Sequence, residues 1–125
     1  ELWFMLMDKL GDMVITYVRS QIKNGGKAFQ LFDSWAGSLS PRDFQTYVLP
    51  TIERIYASLS DLNVPNIYFP GVSSGELLPL LHQVKASVIG LDWRVSIEEG
   101  RRRLGDQFAV QGNMDPYLLT GPMDN

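Results

Sequence analysis

The sequence predicts an α/β fold: a parallel sheet of about four strands, each leading into a helix. Three observations carry that reading. Four short apolar runs, Ala28–Phe32, Asn66–Phe69, Ser87–Leu91 and Phe108–Val110, each end in small or polar residues: Asp33-Ser34, Pro70-Gly71, Asp92-Trp93 and Gln111-Gly112-Asn113. Stretches with helical spacing of apolar residues separate the runs, and strands alternating with amphipathic helices build a parallel sheet. The last two strand-to-strand intervals are about twenty residues each, the tight pitch of a (β/α) barrel or an open doubly wound sheet. Periodicity leaves both architectures open, and the sequence has neither a GxGxxG nor a Walker A loop to favour an open nucleotide-binding sheet. In both, chemistry sits at the C-terminal ends of the strands, so a site is expected at the polar groups that follow the four runs.

The elements follow in order. Leu2, Phe4, Met5, Leu6, Leu10, Met13, Val14, Tyr17, Val18 and Ile22 recur at three- and four-residue steps, predicting an amphipathic helix over Glu1–Lys23 closed by Gly25-Gly26. Ser40 as N-cap, Pro41 at the first helical position and Asp43 in the first turn predict a helix from Pro41 to about Leu59. Its buried side is expected to carry Phe44, Tyr47, Val48, Ile52, Ile55, Tyr56 and Leu59, and Asn63-Val64-Pro65 ends it. A helix over Gly75–Val84 carries Leu77, Leu78, Leu80 and Leu81. The next starts near Ser96, with Glu98-Glu99 in its first turn and Arg101, Arg102 and Arg103 in its last, a charge order that matches the helix macrodipole. Asp115-Pro116 opens a final short helix before Gly121-Pro122. Because the sequence opens within a helix and closes soon after another begins, it reads as a piece of a longer protein.

Composition narrows the function classes. A length of 125 residues with 45% apolar and 11% aromatic residues predicts one folded domain spanning residues 1–125. A net charge of −3 and a pI near 5.0 leave no basic footprint for nucleic acid. With no cysteine, this segment offers neither disulfides nor thiolate ligands, and the cytoplasm is the expected location. The apolar run Leu2–Met7 falls far short of the roughly 20 residues of a membrane span, so no membrane partner is expected.

Five blocks then combine. Gln30-Leu31-Phe32-Asp33-Ser34-Trp35-Ala36-Gly37, Leu49-Pro50, Gly75-Glu76-Leu77-Leu78, Gly90-Leu91-Asp92-Trp93-Arg94 and Gln111-Gly112-Asn113-Met114-Asp115-Pro116, in this order and spacing, closely resemble uroporphyrinogen decarboxylase. The resemblance covers nearly the whole chain. It implies part of a (β/α)8 TIM barrel, about four parallel βα units from the central and later part of the barrel, with residues 1–125 as a partial domain. It also implies a carboxy-lyase, free of cofactor and metal, that converts the acetate side chains of uroporphyrinogen III to methyls and gives coproporphyrinogen III for haem synthesis. The implied partners are uroporphyrinogen as substrate and a second copy in a homodimer. A pyrrole protonated at a ring carbon is its own electron sink, which explains why no cofactor is called for. In the family the proton donor, the arginine grips, a tyrosine and a histidine lie outside the part matched here. No catalytic residue is therefore expected in this segment, which alone is expected to be inactive.

One family position does fall within it. Ser34 matches the serine at a strand C-terminus that hydrogen-bonds the substrate, and Phe32 matches an aromatic residue lining the same cleft. A hydroxyl with one donor and two lone pairs can hold a carboxylate oxygen, but without a neighbouring base it is no nucleophile. Asp33 and Asp92 are expected to cap the following turns, Gly112 to permit a tight turn and Asp115 to cap a helix before Pro116. His82, among leucines on an outer helix, does not match the family histidine. Arg101-Arg102-Arg103 reads as a charged helix end, and Trp3, Trp35 and Trp93 as packing residues. The superfamily's zinc methyltransferases, which act on corrinoids and thiols, carry His-x-Cys-Gly where this chain has Tyr68-Phe69-Pro70-Gly71, so no metal site is expected. A third reading is a non-catalytic half-barrel that self-associates through its open sheet edges and apolar face.

Overall fold

A computed structural model of the chain describes residues 1–121. Four parallel strands form one sheet in sequence order: β1 (Phe29–Phe32), β2 (Asn66–Phe69), β3 (Val88–Gly90) and β4 (Ala109–Gln111). Phe29 lies opposite Asn66, Phe32 opposite Phe69, Val88 opposite Ala109, and Gly90 opposite Gln111. The strands lie within a residue or so of their predicted positions, with β4 one residue later than the apolar run.

The period of two divides the strands between two faces. Phe29, Tyr68 and Ile89 point to the helices and are buried. Phe32, Phe69, Gly90 and Gln111 look out from the opposite face, which in a barrel is the interior. The helices on the outer side are α1 (Leu2–Lys23), α2 (Pro41–Tyr47), α3 (Leu49–Leu59) and α4 (Ile97–Leu104). Tyr56 of α3 joins the layers: its ring lies 5.8 Å from that of Phe29 and 6.0 Å from that of Tyr68, and its hydroxyl donates to the Ile67 carbonyl at 2.6 Å. Around it Phe44, Leu77, Leu78, Leu81 and Leu104 are fully enclosed.

Two expectations about helices need correction. The helix predicted over Pro41–Leu59 is broken at Val48, which adopts φ −122° and ψ −51° between α2 and α3. Pro50, second in α3, has no N–H to donate and its ring displaces the carbonyl four residues back, so the run restarts there. The stretch predicted as a helix over Gly75–Val84 is a 3-10 helix, Gly75–Gln83, with Pro79 inside it. Its Ser74 makes no side-chain cap, because the hydroxyl donates instead to the Gly71 carbonyl at 2.8 Å.

The amphipathic helix predicted over Glu1–Lys23 forms as α1, Leu2–Lys23. Of its predicted apolar stripe only Val18 is buried, while Leu2, Met5, Met13 and Tyr17 stay exposed. The helix seats on α3 through Gly11, where a Cβ would run into Arg54 and Thr51, and Arg54 donates to Asp12 at 2.6 Å and to the Asp8 carbonyl at 2.8 Å. Val14 and Ile22 pack against the core, and the Phe4 ring lies 6.0 Å from that of Tyr47. None of the described helices is long and apolar enough to cross a membrane.

Candidate functional site

The strands being parallel, Ser34, Gly71, Asp92 and Asn113 all follow strand C-termini at one end of the sheet, as predicted. On the inner face at that end lies a shallow cleft of about 230 Å³, lined by Gln30, Phe32, Phe69, Gly90, Gln111 and Gly112. The Phe32 and Phe69 rings meet edge to face, 6.2 Å apart and inclined 77°. Gly90 lets Phe69 lie across the neighbouring strand, because a Cβ there would come within 2.8 Å of the Phe69 ring. Phe32 is exposed at the rim of this cleft.

Ser34 is exposed, and among the described residues its hydroxyl has no hydrogen-bond partner. The turn that carries it is held firmly. The Asp33 N–H donates to the Phe69 carbonyl at 2.9 Å, and the Ala36 N–H donates back to the Asp33 carbonyl at 3.2 Å. The Tyr68 hydroxyl, from the next strand, donates to Asp33 Oδ2 at 3.0 Å. Burial raises the Asp33 carboxyl above its ordinary range, and this hydrogen bond partly offsets the rise. Two glycines press a second loop against the turn. Gly71 adopts φ +80°, and a Cβ on it would overlap the Asp33 and Ser34 carbonyl oxygens; one on Gly37 would overlap the backbone of Val72 and Ser73.

The remaining strand ends are braced in the same way. Asp92, nearly fully buried, accepts from the backbone N–H groups of Ser74 at 3.2 Å and Arg94 at 2.7 Å, which is the capping role expected of it. Asn113 donates to the Asp92 carbonyl at 2.9 Å and to the Val95 carbonyl. Gly112 takes φ +119°, with the Leu91 carbonyl where its Cβ would stand. Asp115 accepts from the Tyr117 N–H at 2.9 Å, with Pro116 opening the 3-10 helix Pro116–Thr120. The Gln111–Pro116 block is thus architectural, and it ties the last strand end to the β3 loop.

His82 is exposed and lies beside Gln107, which donates to its backbone carbonyl at 3.2 Å. Arg102 and Arg103 both bond Glu99, and Arg103 also reaches Glu76 at 2.7 Å; the two guanidiniums hold the Glu99 carboxyl down to about 2. These cations are engaged along α4, as a charged helix end. Of the three tryptophans, Trp93 lies under Arg94 at 4.1 Å and Trp3 donates to the Tyr47 carbonyl at 2.8 Å, but Trp35 is 79% exposed and packs on little. Among the described residues no group of three His, Asp or Glu side chains is gathered for a metal ion. Sequence reasoning missed Tyr68 as a polar link and Phe69 as a wall of the cleft. A signal existed for Tyr68, since a tyrosine on the buried face of a strand needs a partner for its hydroxyl.

Residues 1–125 match the family model for uroporphyrinogen decarboxylase (URO-D). The uroporphyrinogen decarboxylase of Bacillus cytotoxicus is 51% identical over 120 residues, which is 96% of this chain and 34% of that protein. Its counterpart from Bacillus pumilus is 44% identical over 124 residues, 99% of this chain and 35% of that protein. The one from Bacillus thuringiensis is 49% identical over 120 residues. The chain spans about a third of the length of the curated relatives it matches. With the family model matched from the first residue to the last and the strand-end blocks in place, the chain belongs to the uroporphyrinogen decarboxylase family.

Proposed function

We propose that the full-length protein decarboxylates the acetate side chains of uroporphyrinogen III to methyls, giving coproporphyrinogen III. Residues 1–125 form one part of its barrel, and the exposed apolar residues of α1, together with Tyr117, Leu118 and Leu119, are covered by the rest of it. The observation that carries the reading is the family match along the whole chain, joined to a free Ser34 hydroxyl at the strand end.

The chemistry divides between this segment and the remainder. Protonation of a pyrrole carbon makes a cation; the electron pair of the bond to the departing carboxylate flows into that ring as carbon dioxide leaves, a second proton adds to the resulting exocyclic methylene to make the methyl, and the ring carbon gives up the first proton to restore the pyrrole. The reaction needs neither metal nor organic cofactor. Ser34 donates its O–H to a substrate carboxylate oxygen and so fixes the ring that reacts. Phe32 and Phe69 supply an apolar wall against a pyrrole ring and keep water from it. The proton donor and the cationic grips come from outside this segment, so the segment alone turns nothing over. The protein works in the cytoplasm as a homodimer.

The zinc methyltransferase reading would place metal ligands at Tyr68 and Pro70, where the Tyr68 hydroxyl is committed to Asp33 and proline has no ligating side chain. Incubating the full-length protein anaerobically with uroporphyrinogen and identifying the product by mass tests the proposal. Coproporphyrinogen is the expected product; an unchanged substrate, or a methyl group transferred to an added thiol, rejects it.

A further inference from the structure

Ser34 is placed by its neighbours, because its own hydroxyl is free and its side chain makes no bond that orients it. Orientation must come through Asp33. That residue is anchored on both sides: its main chain through the N–H to the Phe69 carbonyl, and its side chain through Oδ2 to the Tyr68 hydroxyl. The second anchor is built for permanence. Tyr68 is fully buried, its ring is braced edge to face by Tyr56 at 6.0 Å, and the phenol therefore has no freedom to follow a moving turn. Asp33 in turn accepts the Ala36 N–H through its carbonyl, closing the turn around Ser34. With the side-chain anchor gone, the backbone bonds and the Gly71 loop still hold the strand end, but the Asp33 side chain no longer ties the turn to the buried Tyr68 and the turn loosens around Ser34.

We infer that Tyr68 is a positioning residue for substrate binding: by holding the Asp33 side chain it fixes the turn on which the Ser34 hydroxyl meets a substrate carboxylate. The inference rests on the proposed decarboxylase reading and adds to it a residue that faces away from the cleft. Tyr68 acts on binding and leaves the proton transfers alone, so its loss raises KM and spares kcat.

The test is a double-mutant cycle in the full-length protein, with wild type, Tyr68→Phe, Ser34→Ala and the double variant assayed on uroporphyrinogen. Loss of one orienting hydrogen bond should raise KM about fivefold in Tyr68→Phe, with kcat within about twofold of wild type. Ser34→Ala should raise KM further, and Tyr68→Phe should add nothing in that background, since the turn no longer carries a hydroxyl to misplace. A purely structural role predicts equal effects in both backgrounds. Should Tyr68→Phe leave part of the protein unfolded in a urea titration, Asp33→Ala breaks the same bond from the other side. Asp33→Asn, whose amide oxygen still accepts from Tyr68, should then keep KM near wild type. Additive effects, or a Tyr68→Phe variant with unchanged KM beside an impaired Ser34→Ala, overturn the inference and leave the reaction standing. A wild-type protein that leaves uroporphyrinogen unchanged overturns the reaction itself, and a Ser34→Ala variant with unchanged KM overturns the role of Ser34; either takes the inference with it.

Discussion

Replacing Gly71 with alanine strikes the contact that seats the Ser34 turn, and its cost can be worked from two observations. The residue sits at φ +80°, where a side chain costs about 1–2 kcal/mol relative to glycine. A Cβ there would also stand 2.6 Å from the Asp33 carbonyl oxygen and closer still to that of Ser34, and both are backbone atoms that cannot swing aside. Overpacking of that kind costs about 1–3 kcal/mol. Together the loss should be about 2–5 kcal/mol, a large share of the roughly 5–15 kcal/mol that holds a typical domain. Urea unfolding of the full-length protein reads it as a lowered midpoint at unchanged slope. Gly71→Asn separates the causes: asparagine tolerates positive φ but brings the same Cβ, so it should recover the conformational part only. Because the turn must move to relieve the overlap, Gly71→Ala should also raise KM for uroporphyrinogen. A variant within about 0.5 kcal/mol of wild type, the range of an ordinary surface change, would refute the claim that Gly71 clamps the turn.

Other perturbations give further outcomes. Ser34→Ala should lower kcat/KM by about one to two decades, the loss of one hydrogen bond to a charged carboxylate at about 1.5–3 kcal/mol, with folding unchanged; steady-state kinetics that match wild type count against it. Asp33 has its folded pKa raised above the ordinary 3.8 by burial, so the folded state holds that proton more tightly than the unfolded chain, and stability must fall as pH rises from 3.8 through the folded value. Asp33→Asn removes that fall, and the stability of the variant relative to wild type should grow across the window; a difference flat with pH contradicts the burial argument. Phe44, with none of its surface exposed, should cost about 3–5 kcal/mol on replacement by alanine, measured by the shift in urea midpoint.

Much of the fold is legible because its signals are local. Ser40, Ser96 and Asp115 each accept the backbone N–H that a cap should accept, from Asp43, Glu99 and Tyr117. The apolar runs become the strands, in sequential order. The misread elements turn on two prolines: Pro50 sits where the apolar spacing continues unbroken, and Pro79 lies in a run of leucines that reads as helical. Spacing registers side chains and is blind to a missing N–H unless the proline is weighed directly. The exposed part of α1 shows a different limit, since an amphipathic stripe predicts that a helix will be covered without saying by what.

At the site, Ser34 and Phe32 are legible through the blocks around them, whereas the Tyr68–Asp33 bond joins residues 35 positions apart and depends on strand register. Once β1 and β2 pair with Phe32 opposite Phe69, Tyr68 comes beside the β1 strand end and its hydroxyl reaches Asp33. The same register sets the two phenylalanine rings against each other. Trp35 fails as a packing residue for a related reason: it stands on the turn beside Ser34, which projects from the sheet.

Carbon dioxide release by the full-length protein, counted per uroporphyrinogen consumed, tests the central claim most directly. The account predicts one molecule for each acetate side chain, coproporphyrinogen as the end product, and the same yield and rate in the presence of a chelator. No carbon dioxide, or a release that stops when metal is withdrawn, would contradict it.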